Sequence, residues 1–160
     1  MIRHYKHHEG FSLIELLAVV AIIGILAAIS IPKLMNSRRA ANEGSAVSTL
    51  RTIHSVEASY QSTVGSGSFG DLPTLVTNRM LDPTFASSTK SGYSFEIVPS
   101  ASGVNPPNFF ASGIPTITSG IAQTGTRRFG VCEDGILKSD TTLMAFADWA
   151  EVASTPGFNN

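Results

Sequence analysis

From Phe11 to Ile31 the chain is largely apolar with one charged side chain, Glu15, and the run continues to Pro32. About 21 residues at roughly 1.5 Å each match a hydrocarbon core of roughly 30 Å, so this segment is predicted to cross a membrane as a helix. A carboxylate lodged in such a span costs roughly 2.5–3.5 kcal/mol on insertion scales. Glu15 therefore requires a partner, and an assembly site supplies one.

Past Pro32 the helical pattern continues. Ala40 to Tyr60 contains no proline, alanines are frequent, and Val47, Leu50, Ile53, either Val56 or Glu57, and Tyr60 recur at three- to four-residue spacing along one apolar face. Gly65-Ser66-Gly67-Ser68 stops the pattern, which predicts a helix of about 50 residues, roughly 75 Å long, from Phe11 onward. Its lower half, apolar all round, suits packing on neighbours. Its striped upper half suits packing on its own domain. Pro32 and Gly24 are the weak points, since proline removes a backbone hydrogen bond and crowds the preceding turn, allowing a kink or local melting there. Gly24 also reads as a small residue suited to a packed membrane helix.

Residues 65–160 read as a globular domain of short strands and long polar loops. Asp71 to Leu81 is expected to hold a helical turn around Leu72, Leu75 and Val76. Tyr93 to Val98 alternates as a strand with Tyr93, Phe95 and Ile97 on one face. Asn108 to Ala111 is a further strand candidate. Arg127–Cys132 and Ile136–Ser139, joined by Glu133-Asp134-Gly135, form the clearest hairpin. Gly103 to Gly125, rich in Gly, Pro, Ser and Thr, reads as surface loop, and Met144, Phe146 and Trp149 are expected to pack on the sheet edge. The fold class is thus α+β: a long N-terminal helix whose upper half lies on a three- or four-stranded antiparallel sheet.

The formal net charge of −1 is too balanced to argue for a nucleic-acid partner. Cys132 is the single cysteine, so no intrachain disulfide can form, and it reads as a buried thiol. No nucleophile elbow, His-Glu-x-x-His or cysteine cluster occurs, which speaks against an enzyme.

The residues Glu9-Gly10-Phe11-Ser12-Leu13-Ile14-Glu15, preceded by the basic Arg3 and Lys6, resemble the class III signal of type IV pilins and of the pseudopilins of type II secretion. An ordinary secretory signal is cut after its apolar stretch and discarded, whereas here the candidate cut precedes it. The resemblance implies that residues 1–10 are a leader and that a membrane-embedded aspartyl peptidase cuts between Gly10 and Phe11. Phe11 would then be methylated, with Glu15 as the fifth residue of the mature chain. Residues 11–31 become the membrane and assembly helix and 32–64 its amphipathic continuation. The implied partners are identical or related pilin subunits, the prepilin peptidase, an inner-membrane assembly platform and, before assembly, the membrane. The basic leader is expected to stay in the cytoplasm, placing the residues after Pro32 on the far side, although Lys33, Arg38 and Arg39 run against that rule. The chain is then a single-pass inner-membrane precursor and later part of a periplasmic or extracellular filament. Many type IV pilins close their C-terminal region with a disulfide. This chain must use hydrogen bonds, packing or a bound ion.

In a filament of parallel helices, the Phe11 ammonium of one subunit and the Glu15 carboxylate of its neighbour would neutralise each other and fix axial register. Alternatively, Glu15 pairs within its own chain or sits at headgroup depth. Glu133, Asp134 and Asp140 flank the hairpin as weak calcium candidates, without EF-hand spacing, and a solvated acidic turn explains them better. No other cofactor is expected. His4, His7 and His8 fall in the leader, and His54 stands alone on the helix. Arg127 and Arg128 read as one exposed residue and one at a strand edge. Three functions fit this reading: a pilus-like filament subunit, a type II secretion pseudopilin, or a minor pilin or adhesin with a ligand-binding domain.

Overall fold

The computed structural model describes residues 11–158 apart from 102 and 105. Helix α1 runs Leu13–Ser62, as the sequence pattern predicts, and its residues divide between two compact units, 1–36 and 37–160. In the first unit the described residues are helical from Leu13 onward, with Leu13, Ile14, Ile25 and Leu26 among many exposed apolar side chains. This segment is long and apolar enough to cross a membrane, and none of it is buried.

The second unit begins with the upper part of α1 and continues through α2 (Leu72–Thr77), a 3-10 turn (Pro83–Ser87), β1 (Thr89–Lys90), β2 (Tyr93–Pro99), β3 (Phe109–Pro115), β4 (Arg128–Cys132), β5 (Lys138–Asp140) and α3 (Trp149–Ser154). The five strands form one antiparallel sheet in the order β1-β2-β3-β4-β5, each paired with its neighbour in sequence. The expected count of three or four strands is corrected to five. A two-residue edge strand such as Thr89–Lys90 is too short to show alternation and forms by pairing with Ser94 and Tyr93.

The strand candidate at Asn108–Ala111 is found as the start of β3, and the reading of 103–125 as loop is corrected for the rest of that strand, to Pro115. Its centre, Ala111-Ser112-Gly113, is small because it lies close to other groups: a Cβ on Gly113 would stand 3.0 Å from the Phe95 ring. Composition alone therefore read the second half of a buried strand as loop. Tyr93, Phe95 and Ile97 of β2 do share the buried face.

The main core joins the α1 stripe to the inner face of the sheet. Leu50 and Ile53 are fully buried and pack with Phe95, Ile97, Phe109, Ala111, Phe129 and Val131. Each of these side chains except Ala111 contributes roughly 1.5–3 kcal/mol by leaving water. At the position left open between Val56 and Glu57, Glu57 is the fully buried residue and Val56 only partly so. The Glu57 Oε2 accepts the Gly70 N–H at 3.1 Å, and its Oε1 has no partner. Burial, with Asp71 nearby, pushes the Glu57 carboxyl up to about 7.

A second, smaller core lies on the outer face, where Phe110 and Cys132 meet Phe146 and Val152. Of the three C-terminal side chains expected to pack here, Phe146 does, while Met144 is exposed and Trp149 only partly covered. α3 is capped by Asp148, whose carboxylate accepts the Glu151 N–H.

Candidate functional site

At the start of α1, Ser12 precedes the first helical residue and Glu15 sits three positions on. The Glu15 carboxylate accepts the Ser12 N–H at 3.0 Å, and the Ser12 carbonyl accepts the Leu16 N–H at 3.2 Å. This is half of a capping box, in which the third helical residue satisfies one of the unpaired N–H groups at a helix start. The Ser-x-x-Glu spacing signals it, and sequence reasoning passed over that signal in favour of the membrane charge. Phe11 is 84% exposed. Gly10 lies outside the described residues, as do His4, His7 and His8.

Further along α1, a Cβ on Gly24 would meet nothing within 4 Å. The helix is continuous through Pro32, whose missing N–H leaves the Ala28 carbonyl without its usual donor. Both positions are exposed, so the chain's own packing does not hold either one.

The three acidic residues of the hairpin go to separate partners. The Glu133 carboxylate accepts the Trp149 indole N–H at 2.8 Å. Asp134 accepts the Ile136 N–H at 2.8 Å and lies 3.6 Å from the Lys138 ammonium. Asp140 takes the Arg128 guanidinium. Among the described residues no group of three or more His, Cys, Asp or Glu is placed to hold a metal ion. His54 lies against the Glu133 carbonyl at 3.4 Å and tilts on the Phe109 ring.

Arg128 corrects the expectation of two ordinary strand arginines. It is 3% exposed, and its guanidinium donates to Asp140, to Glu151 and to the Met144 and Ala145 carbonyls, with the Phe146 ring 3.8 Å away. Burial raises the Asp140 carboxyl, but hydrogen bonds from Arg128 and Thr142 overcome it and hold Asp140 below the usual carboxylate range. Arg127 instead pairs with Glu43 of α1 at 2.9 Å. Burial likewise opposes ionised Glu43, and the Thr126 hydroxyl and amide together with Arg127 outweigh it. Neither carboxylate partner has a periodic signal in the sequence. Cys132 is buried, and its thiol is pushed up to about 12 by burial and by Glu133 and Asp134.

Residues 5–31 match the family model described as the prokaryotic N-terminal methylation motif. The chain is 40% identical over 58 residues to the type IV major pilin protein PilA of Myxococcus xanthus, covering 36% of this chain and 26% of that protein. It is 55% identical over 38 residues to the type IV wide pilus major component PilA4 of Thermus thermophilus, covering 24% and 29%. To the type II secretion system core protein G of Escherichia coli it is 32% identical over 91 residues, covering 53% and 60%. The matches thus span less than two thirds of the length of each of these relatives. No solved structure matches the chain. The chain therefore carries a prokaryotic N-terminal methylation motif at the head of a long apolar helix and is similar to type IV pilins and to a type II secretion core protein.

Proposed function

We propose that this chain is a structural subunit of a type IV pilus-like filament, made as a single-pass inner-membrane precursor. Prepilin peptidase cuts it between Gly10 and Phe11 and methylates Phe11. The subunit then leaves the membrane at an assembly platform and joins its neighbours through residues 11–31. The observation that carries this reading is the lone carboxylate of Glu15 in the exposed, largely apolar segment 11–31, within the methylation motif.

Cleavage creates an ammonium at Phe11. Inside a bundle of parallel helices that charge and Glu15 of an adjacent subunit are each costly alone and tolerable together. A carboxylate offers about four acceptor sites, so Glu15 can keep its Ser12 N–H and still receive a neighbour's ammonium. A subunit docked one turn out of register leaves two buried charges unpaired. Gly24 and Pro32, which the chain's own packing leaves open, allow the lower helix to adjust as it moves from lipid into the filament.

A pseudopilin role is the second reading. The match to the type II secretion core protein G covers more of this chain, and more of the relative, than either pilin match does.

N-terminal mass spectrometry of protein sheared from cells, beside the membrane fraction, tests both. Methylated Phe11 in sheared fibres supports the pilus subunit. The same terminus found only in membranes supports the pseudopilin, and any other terminus rejects both.

A further inference from the structure

The outer face of the sheet carries a cavity that the smaller core does not fill. In β2, Glu96 and Val98 alternate with Phe95 and Ile97 of the main core and so face the other way, and Val98 pairs across the sheet with Phe110 of β3. Phe146, Asp148 and Trp149, at the entry to α3, complete a cavity of about 300 Å³ with them. Three rings and Val98 make its walls largely apolar. Trp149 is held there by its indole N–H, which Glu133 accepts at 2.8 Å.

The charged groups of this cavity are of one sign. Among the described residues the Glu96 carboxylate makes no hydrogen bond or ion pair, and Asp148 uses only Oδ1, on the Glu151 N–H. No Lys, Arg or His among the described residues lines the cavity. Ring faces attract a cation, and so do carboxylates without a counter-charge. The chain itself shows what such surroundings hold. Arg128 lies on the Phe146 ring with Asp140 and Glu151 at its guanidinium, and Arg127 lies on Phe129 and Phe158 with Glu43 at its own. A guanidinium offers a planar fork to a carboxylate and a flat face to a ring.

Of the arginines between residues 37 and 160, the side chains of Arg38, Arg51 and Arg79 are exposed and have no partner among the described residues. Arg79 differs from the other two in its backbone. It follows Asn78 at the end of α2 with a φ of 58°, a left-handed position that usually falls to glycine or asparagine. An arginine where a Cβ is disfavoured points to a use for its side chain. Leu75 and Leu81 of the main core flank it in sequence, whereas the cavity lies on the outer face of the sheet. A side chain of one surface entering a cavity on another makes a head-to-tail contact, the kind that repeats into an open filament.

We propose that the cavity between Glu96, Phe110 and Trp149 receives a guanidinium, and that its occupant is Arg79 of a second copy of this chain. The identity of the occupant rests on the reading of the chain as a filament subunit. The guanidinium donates to the Glu96 and Asp148 carboxylates and lays its face on the rings. This contact joins one globular domain to the next, separately from the pairing of Phe11 with Glu15.

Trp149 is the single tryptophan of the chain, so its fluorescence reads the cavity directly. The full chain in a non-ionic detergent is titrated at constant ionic strength with N-acetylarginine methylamide, with its neutral isostere N-acetylcitrulline methylamide, and with methyl glucoside. A saturable change with the arginine probe alone is expected, and Glu96→Gln is expected to weaken it about fivefold. Equal responses to the arginine and citrulline probes, a response to the glucoside alone, or no saturable response overturns the cavity as a guanidinium site, whether or not fibres form. In cells, Arg79→Glu and Glu96→Arg are each expected to reduce sheared fibres severalfold and, when combined, to restore them. Normal fibres from either single variant, or no recovery in the double variant, overturns Arg79 as the occupant. An absence of fibres from the unmodified chain overturns the filament reading and the second-copy occupant with it, while the titration still decides the cavity.

Discussion

Arg128 and Asp140 face each other across the β4–β5 pair and bond through both carboxylate oxygens, at 3.0 and 3.1 Å from Nε and 2.8 Å from Nη2. The same guanidinium reaches Glu151 of α3 at 2.7 Å and two carbonyls of the segment between. One side chain therefore joins β5, α3 and the segment between them to β4, beside the backbone bonds that Ser139 and Phe158 make with Pro156 and Leu137. Arg128→Met is expected to loosen the segment from Thr141 to Glu151 and to cost about 3 kcal/mol, the scale of removing one partner from a buried pair, discounted for the partly exposed carboxylates. Urea unfolding of the detergent-solubilised chain, with limited proteolysis of the C-terminal stretch, measures both effects. Arg128→Lys is expected to recover only part, since an ammonium cannot reproduce the fork.

Glu57 links stability to pH in the opposite sense to Glu43 and Asp140. Its carboxyl is raised from 4.5 to about 7 in the folded chain, so between those limits the unfolded chain has lost a proton that the folded chain keeps. Stability from this group is greatest below about pH 4.5 and declines as pH rises through about 7. Over that window the decline is on the order of 3 kcal/mol. Glu57→Gln keeps an acceptor for the Gly70 N–H and should flatten the window, leaving the variant more stable at pH 8. Equal slopes for the two proteins between pH 5 and 8 would refute this. Glu43 and Asp140, held below the usual range, withdraw their stabilisation only at lower pH.

Glu15→Ala should insert and be cleaved as before but build few fibres. Losing a half capping box costs on the order of 1 kcal/mol or less, too little to unfold the chain, so missing fibres would reflect missing contacts between subunits. Electron microscopy of sheared material decides it, and abundant fibres from the variant would sink the register argument. Gly10→Val should leave uncut precursor in the membrane, visible by its mass.

Cys132 should resist maleimide at pH 8 while the chain is folded and react within the dead time of unfolding in urea. Burial keeps its thiol near 12, so little thiolate exists to attack. Fast labelling of the native chain would show that the outer core opens.

The long helix and the β2 strand were legible because their signals are periodic: Val47, Leu50 and Ile53 at helical spacing, and Tyr93, Phe95 and Ile97 at alternate positions. The first part of β3 was legible at Asn108–Ala111, but its continuation through Ser112 and Gly113 was not, because close approach to the Phe95 ring, not side-chain hydrophobicity, sets Gly113. Arg128 was read as an ordinary strand residue because its partners lie at Asp140 and Glu151, and pairing over such separations leaves no local trace. At the helix start the motif that named Gly10, Phe11 and Glu15 also contains Ser12, whose capping contact with Glu15 was overlooked.

Because each strand pairs only with the strand next to it in sequence, no part of the sheet has to wait for a distant segment. Pairing between sequence neighbours is the quickest kind to form. A chain delivered from its N-terminus would have α1 present before β1, and each later hairpin could add to a growing edge as it arrived. The segment that Arg128 gathers in, Met144 to Glu151, follows the strands in sequence. The order of synthesis and the order of docking then coincide, and α3 closes over strands that are already paired.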